Sequence, residues 1–162
     1  MNMEVQISVH PPTDYVKTNF KNFLPDWSSP RVSVIIVLQR SQLPLNNQGT
    51  EVEKEKSRLR KRFIYFGCAL SRALDEKGFV TDLLDPRSGY ALFSNQGTQT
   101  HDDSRVVNQL LKIPIIENSL CKPLVHPSWG TAVYPGILMS TAQAETIRPL
   151  MEKVALNKGW KI

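Results

Sequence analysis

Three features of the sequence predict an α+β fold, with a mixed, largely antiparallel sheet carrying packed helices. Arg31 to Gln39 holds the run Val-Ser-Val-Ile-Ile-Val-Leu, a β-branched stretch suited to a central strand covered on both faces. Glu51 to Lys77 repeats Leu59, Phe63, Phe66, Leu70 and Leu74 at three- and four-residue spacing, the stripe of a long amphipathic helix. Hairpin-like pairs separate the helices in place of strict strand–helix alternation.

The elements are predicted in order as follows. Glu4 to Val9 alternates polar residues with Val5, Ile7 and Val9, the period of a half-buried strand, and His10-Pro11-Pro12 stops it because proline offers no N–H to a ladder. His10 is read as a strand-end cap. A short helix opens at Pro12 or Thr13 and runs to about Phe23, with Tyr15, Val16, Phe20, Phe23 and Leu24 on one stripe. Pro25 to Pro30 is a loop in which Trp27 closes over the core. After the central strand, Ser41 to Thr50 is a polar loop. The long helix begins with acidic residues, which suit the positive end of its dipole, and Gly78 ends it.

Phe79 to Asp85 and Tyr90 to Ser94 read as a hairpin closed by Asp85-Pro86-Arg87-Ser88-Gly89, and Asp85 is assigned a turn-forming role. Asn95 to Thr100 is a loop, and Asp102 to Leu111 is a short helix or an ordered loop. His101-Asp102-Asp103 resembles a metal cluster on paper, but three adjacent residues cannot converge on one ion in regular structure. A solvated N-cap supplied by Asp102 or Asp103 is expected instead. Ser119 to His126 and Thr131 to Ser140 form a last strand pair. A final helix from Gln143 to Asn157 buries Ile147, Leu150, Met151 and Val154, and Trp160 anchors the end of the chain.

At 162 residues and 18.4 kDa the chain fits one domain, which would bury roughly 70 % of its unfolded surface. Composition is that of a soluble globular protein, and no apolar run nears the ~20 residues of a membrane span. Met1 to Glu4 leads directly into a strand pattern, so a cytoplasmic location is expected, or a mitochondrial one if an N-terminal extension precedes this sequence. The net charge of +5 permits an acidic partner. The cations Lys54, Lys56, Arg58, Arg60, Lys61 and Arg62 alternate with Glu51, Glu53 and Glu55, which reads as a solvated helix face more readily than as a nucleic-acid site.

The sequence contains no dinucleotide fingerprint, Walker loop, nucleophile elbow or zincin motif. Its two cysteines are too few for a disulfide scaffold, and Cys68, within the long helix, is read as a core thiol. Chemically capable side chains concentrate between Glu117 and Thr141, where Cys121, His126 and Trp129 fall within nine positions around a Pro-Ser-Trp-Gly corner. Five residues apart on a strand, Cys121 and His126 face opposite sides, which disfavours a nucleophile–base dyad. Lys122 lowers the neighbouring thiol's pKa and favours a thiolate able to bind a soft metal. The bland readings stay beside these: Cys121 as a buried structural residue, His126 as a turn stabiliser and Trp129 as packing.

The run Gly78-Phe-Val-Thr-Asp-Leu-Leu-Asp-Pro-Arg-Ser-Gly-Tyr-Ala-Leu-Phe93, followed by Cys121-Lys-Pro-Leu-Val-His-Pro-Ser-Trp-Gly-Thr131, resembles the CblD family. Phe23-Leu24-Pro25 and Glu51-Val52-Glu53 resemble it too, and the likeness covers nearly the whole chain. It implies a fold like the flavin nitroreductases, without a flavin site. It implies a non-enzymatic adaptor that docks on the cobalamin chaperone CblC and routes vitamin B12 to methionine synthase and methylmalonyl-CoA mutase. It further implies that a thiolate from this segment reaches cobalt in cobalamin shared with the chaperone. Animal members have a Cys-Cys pair where this chain reads Leu120-Cys121, so the thiol carried over is Cys121. The partner-facing surface is expected to span Asp102 to Ser119, including Asp103 and Arg105, and to continue through Leu120, Lys122, His126 and Trp129. A small flavin- or thiol-dependent oxidoreductase on the same fold is the alternative, and a basic RNA-binding module a second.

Overall fold

The structure, a computed structural model, describes residues 4–28, 31–117 and 122–162. Strand β1 (Val5–His10) is followed by helix α1 (Asp14–Phe23), β2 (Ser33–Arg40) and α2 (Thr50–Asp75). Then come β3 (Thr81–Leu84), α3 (Asp103–Leu111), β4 (Val133–Ser140) and α4 (Ala144–Asn157). The strands form one four-stranded sheet in the order β1-β2-β4-β3, and every pairing within it is antiparallel. This is the α+β architecture the sequence predicts; among the described residues a parallel contact occurs only as the isolated bridge between Glu4 and Lys161.

The sheet is covered on both faces because β2 is apolar on both. Val34, Ile36 and Leu38 point into a core shared with Tyr15, Phe20 and Phe23 of α1 and Val106 and Val107 of α3. Ile35 and Val37 point the other way, onto Phe63, Phe66 and Leu70 of α2 and Ile147 and Met151 of α4. Burying each such side chain is worth about 1.5–3 kcal/mol, so the two helical layers and the sheet hold one another in place. Gly136 on β4 allows α2 its close approach: a Cβ there would lie 2.4 Å from the Phe63 ring. Thr13 caps α1, its hydroxyl accepting from the Val16 N–H at 3.2 Å. Trp27 closes edge-on against Phe20, and Trp160 stacks on Phe66 with ring centroids 4.8 Å apart.

Several expectations are corrected. Tyr90 to Ser94 is not a strand. After one bridge between Leu84 and Ala91, the buried Asp82 carboxylate takes the N–H groups of Phe93 and Ser94, both at 2.9 Å, in place of a ladder. The described part of the strand expected over Ser119 to His126, residues 122–126, does not pair with Val133–Ser140, which lies between β2 and β3. Within that part Pro123 has no N–H to donate; its carbonyl accepts from the Ile116 N–H at 2.9 Å, and the Val125 N–H donates to the Pro114 carbonyl at 2.8 Å. The face of α2 is not wholly solvated. Glu55 is buried, accepting from the Ser41 hydroxyl and the Gln42 N–H as well as from Arg58, and so ties down the loop after β2. Burial raises its carboxyl, but these donors outweigh burial and hold it below the ordinary range. Cys68 is half-buried rather than a core thiol.

Candidate functional site

The Pro-Ser-Trp-Gly corner is a tight turn closed on both sides. The His126 N–H donates to the Gly130 carbonyl at 2.8 Å, and the Gly130 N–H returns the bond at 2.9 Å. Gly130 adopts φ +58°, where a side chain would be strained. His126 Nδ1 accepts from the N–H groups of Ser128 and Trp129 at 3.0 and 3.1 Å, so the ring proton sits on Nε2 and is donated to Gln6 Oε1 at 3.0 Å. The imidazole stacks on the indole at 4.0 Å, with 9° between the planes. Burial pushes the His126 pKa down, against an upward pull from Glu4. Trp129 Nε1–H donates to Glu4 Oε2 at 2.7 Å, and Glu4 also pairs with Arg40 at 3.1 Å. His126 and Trp129 are therefore the buried foot of the segment, riveted to the start of β1.

Upstream of that foot, Lys122 is exposed with its backbone in the left-handed region at φ +43°. Leu124 packs into the core two residues later. Ser119, Leu120 and Cys121 lie outside the described residues.

The His101 to Arg105 cluster is differently built from the expected solvated cap. Asp102 does cap α3, accepting from the Arg105 N–H at 3.1 Å, while its own N–H donates to the Tyr15 hydroxyl at 3.0 Å. His101, however, is buried against Tyr15 and Phe23, with Nδ1 2.6 Å from Asp103 Oδ1. Burial raises the Asp103 pKa, with His101 opposing it. The Arg105 guanidinium is exposed and lies 4.2 Å over the Tyr15 ring. Cluster and segment are thus two neighbouring features, with Asp103 turned inward and Arg105 and Lys122 turned outward. Among the described residues, no group of three His, Cys, Asp or Glu side chains is placed to hold a metal ion.

Sequence reasoning missed the pair that braces this end of the sheet. Arg60 of α2 donates two bonds of 2.7 Å to the two oxygens of the buried Asp85. Asp85 also accepts from the Arg87 N–H at 2.9 Å, the turn-forming role predicted for it. The Arg60 bonds hold its carboxyl below the usual range, although burial pulls it up. The partners stand 25 positions apart, one in α2 and one just after β3, so no local period announces the pair.

A cavity of about 310 Å³ opens beside Lys122. It exists because β3 is short: β3 pairs with Ile137 to Ser140 and leaves the first half of β4 uncovered on that side. Tyr134 and Pro135 from that half face the cavity, with Arg60 and Arg87 along another wall.

Comparison with known proteins follows the same span. The family model described as methylmalonic aciduria and homocystinuria type D protein matches residues 1–154. A curated protein of Gallus gallus named "Cobalamin trafficking protein CblD" is 24 % identical over 156 residues, covering 96 % of this chain and 52 % of the relative. Those of Mus musculus and Homo sapiens, with the same name, are each 24 % identical and cover 95 % and 94 % of this chain and 51 % of theirs. The chain spans about half the length of the curated relatives it matches. With the family model matched along nearly its entire length, the chain belongs to the methylmalonic aciduria and homocystinuria type D protein family.

Proposed function

We propose that this chain is a non-enzymatic adaptor in cobalamin trafficking, docking on a CblC-type chaperone and directing its cargo toward methionine synthase and methylmalonyl-CoA mutase. The observation that carries the reading is the family match over residues 1–154, with relatives named for cobalamin trafficking. The geometry is compatible with it. His126 and Trp129 supply a buried foot, and Lys122 and Arg105 are exposed cations on the stretch expected to face a partner.

Cobalamin is cargo here, and Cys121 is the residue proposed to meet it. As a thiolate, its proton given to solvent, Cys121 would donate a sulfur lone pair to cobalt in place of a bound water, which leaves to solvent. The Lys122 ammonium, one residue away, favours the thiolate over the thiol. His126 is not the base in this scheme, since its Nδ1 lone pair is taken by two backbone donors.

The test is a titration of cobalamin-loaded chaperone with this protein and with Cys121→Ser, followed by visible absorption and size-exclusion chromatography. A new corrin spectrum with the wild type alone supports both the adaptor and the thiolate. Co-elution without spectral change keeps the adaptor and removes the thiolate. No co-elution overturns the reading, and bound flavin or turnover would point to the oxidoreductase.

A further inference from the structure

The cavity beside Lys122 carries more cations than carboxylates in its lining. Lys56 and Arg60 of α2, Arg87 of the turn after β3 and Lys122 all line it, with Glu53 the one carboxylate in the lining. Lys56 offsets Glu53 at 3.8 Å, and Arg60 is bound to Asp85. Arg87 and Lys122 remain. Among the described residues neither forms a salt bridge, although the Asp85 carboxylate lies close enough to Arg87 to interact with it, and of the two heads Arg87's is the one anchored. Arg87 donates to the Ser57 hydroxyl at 3.1 Å, and Lys122 follows from a left-handed backbone fixed by the bond between Pro123 and Ile116.

Two such cations facing one space create a field that favours an anion. A guanidinium fork beside a mobile ammonium suits a tetrahedral, doubly charged oxyanion better than a planar carboxylate. The floor is different in kind: Leu45, Leu124 and Val133 are apolar and buried. The volume of about 310 Å³ greatly exceeds that of a bare phosphate, whose hydrated surface would gain nothing from that floor.

We propose that this cavity binds a phosphate monoester of a compact, largely apolar organic group, with Arg87 and Lys122 on the phosphate and Leu45, Leu124 and Val133 against the organic part. Binding is reversible and no bond of the ligand is broken. The proposal does not depend on cobalamin, so either reading can fail alone.

The experiment is calorimetric titration of the whole chain with phenyl phosphate, inorganic phosphate and benzoate at constant ionic strength. Phenyl phosphate is expected to saturate with a Kd below about 1 mM, and inorganic phosphate and benzoate to bind at least several-fold more weakly. Arg87→Gln and Lys122→Gln should each weaken phenyl phosphate by roughly tenfold, the loss of one charge-assisted bond. Lys54→Gln removes the same charge from an exposed part of α2 outside the cavity and should change nothing. Backbone amide shifts on titration should centre on Arg87, Lys122 and Thr131, and unchanged circular dichroism confirms that the variants fold. Absence of saturation overturns the site, as does equal weakening by Lys54→Gln. Benzoate binding as tightly as phenyl phosphate removes the phosphate, and inorganic phosphate binding as tightly removes the organic part.

Discussion

Replacing Arg60 by methionine should expose how much the end of the sheet depends on one ion pair. The substitution keeps the aliphatic length of the side chain but deletes two charge-assisted bonds of 2.7 Å. Asp85, whose side chain is only 10 % exposed, is then left with the Arg87 N–H as its remaining short donor. Breaking a buried pair from one side costs about 3–5 kcal/mol. Arg60 itself is 26 % exposed, so water can reach part of the vacated space and the low end, about 3 kcal/mol, is expected. For a chain of this size that lowers Tm by about 6–12 °C. The pH dependence identifies the cause. The folded Asp85 pKa is depressed, so its stabilisation is fully present above the unfolded value near 3.9 and is lost as pH falls through the folded value. The gap between wild type and Arg60→Met, measured by urea unfolding, should therefore be full at pH 7 and narrow below about pH 4. A gap under about 0.5 kcal/mol at pH 7 would refute the reasoning, and so would a gap that does not shrink on acidification.

Two further outcomes follow from the packing and the turn. Gly136→Ala places a methyl group 2.4 Å from the fully buried Phe63 ring and should cost about 1–3 kcal/mol in thermal unfolding; Phe63→Leu in the same chain should recover part of that loss, and strict additivity of the two would contradict the clash. His126 must release two backbone donors to be protonated at Nδ1, so its NMR titration midpoint should lie below 6.5. The stability it contributes is full above the unfolded pKa near 6.5 and fades as pH drops through the folded value, and a midpoint above 6.5 would show that Glu4 outweighs burial.

Where a residue's role is set by its own neighbours in the chain, the sequence shows it. The β-branched run of β2 and the stripe of α2 are such cases, as are the Asx turn at Asp85 and the closed corner at His126. What escaped reading was set by side chains that substitute for backbone. Asp82 takes the amides of Phe93 and Ser94, so an apparent second hairpin strand ends after one bridge. Glu55 looks like one more charge on a solvated helix, yet it folds the loop after β2 against itself. His101 and Asp103, adjacent to a correctly read cap, turn inward because Tyr15 and Phe23 provide an aromatic wall that no local pattern reveals. The basic cavity was equally invisible, since its cations come from three separate stretches that meet only where β3 stops short of β4.

The bond from the Val5 N–H to the Lys161 carbonyl, 3.1 Å long, brings the two ends of the described chain to a single corner. Glu4, at that corner, also holds the Trp129 indole. Any segment joined ahead of Glu4 or behind Ile162 would therefore depart from one spot beside the foot of the Lys122 segment. The molecule is laid out like an insert with a common hinge post: a fusion at either end would be tethered next to the same surface. Joining the ends with a few residues and opening the chain in the exposed 46–49 loop would leave every strand pairing intact.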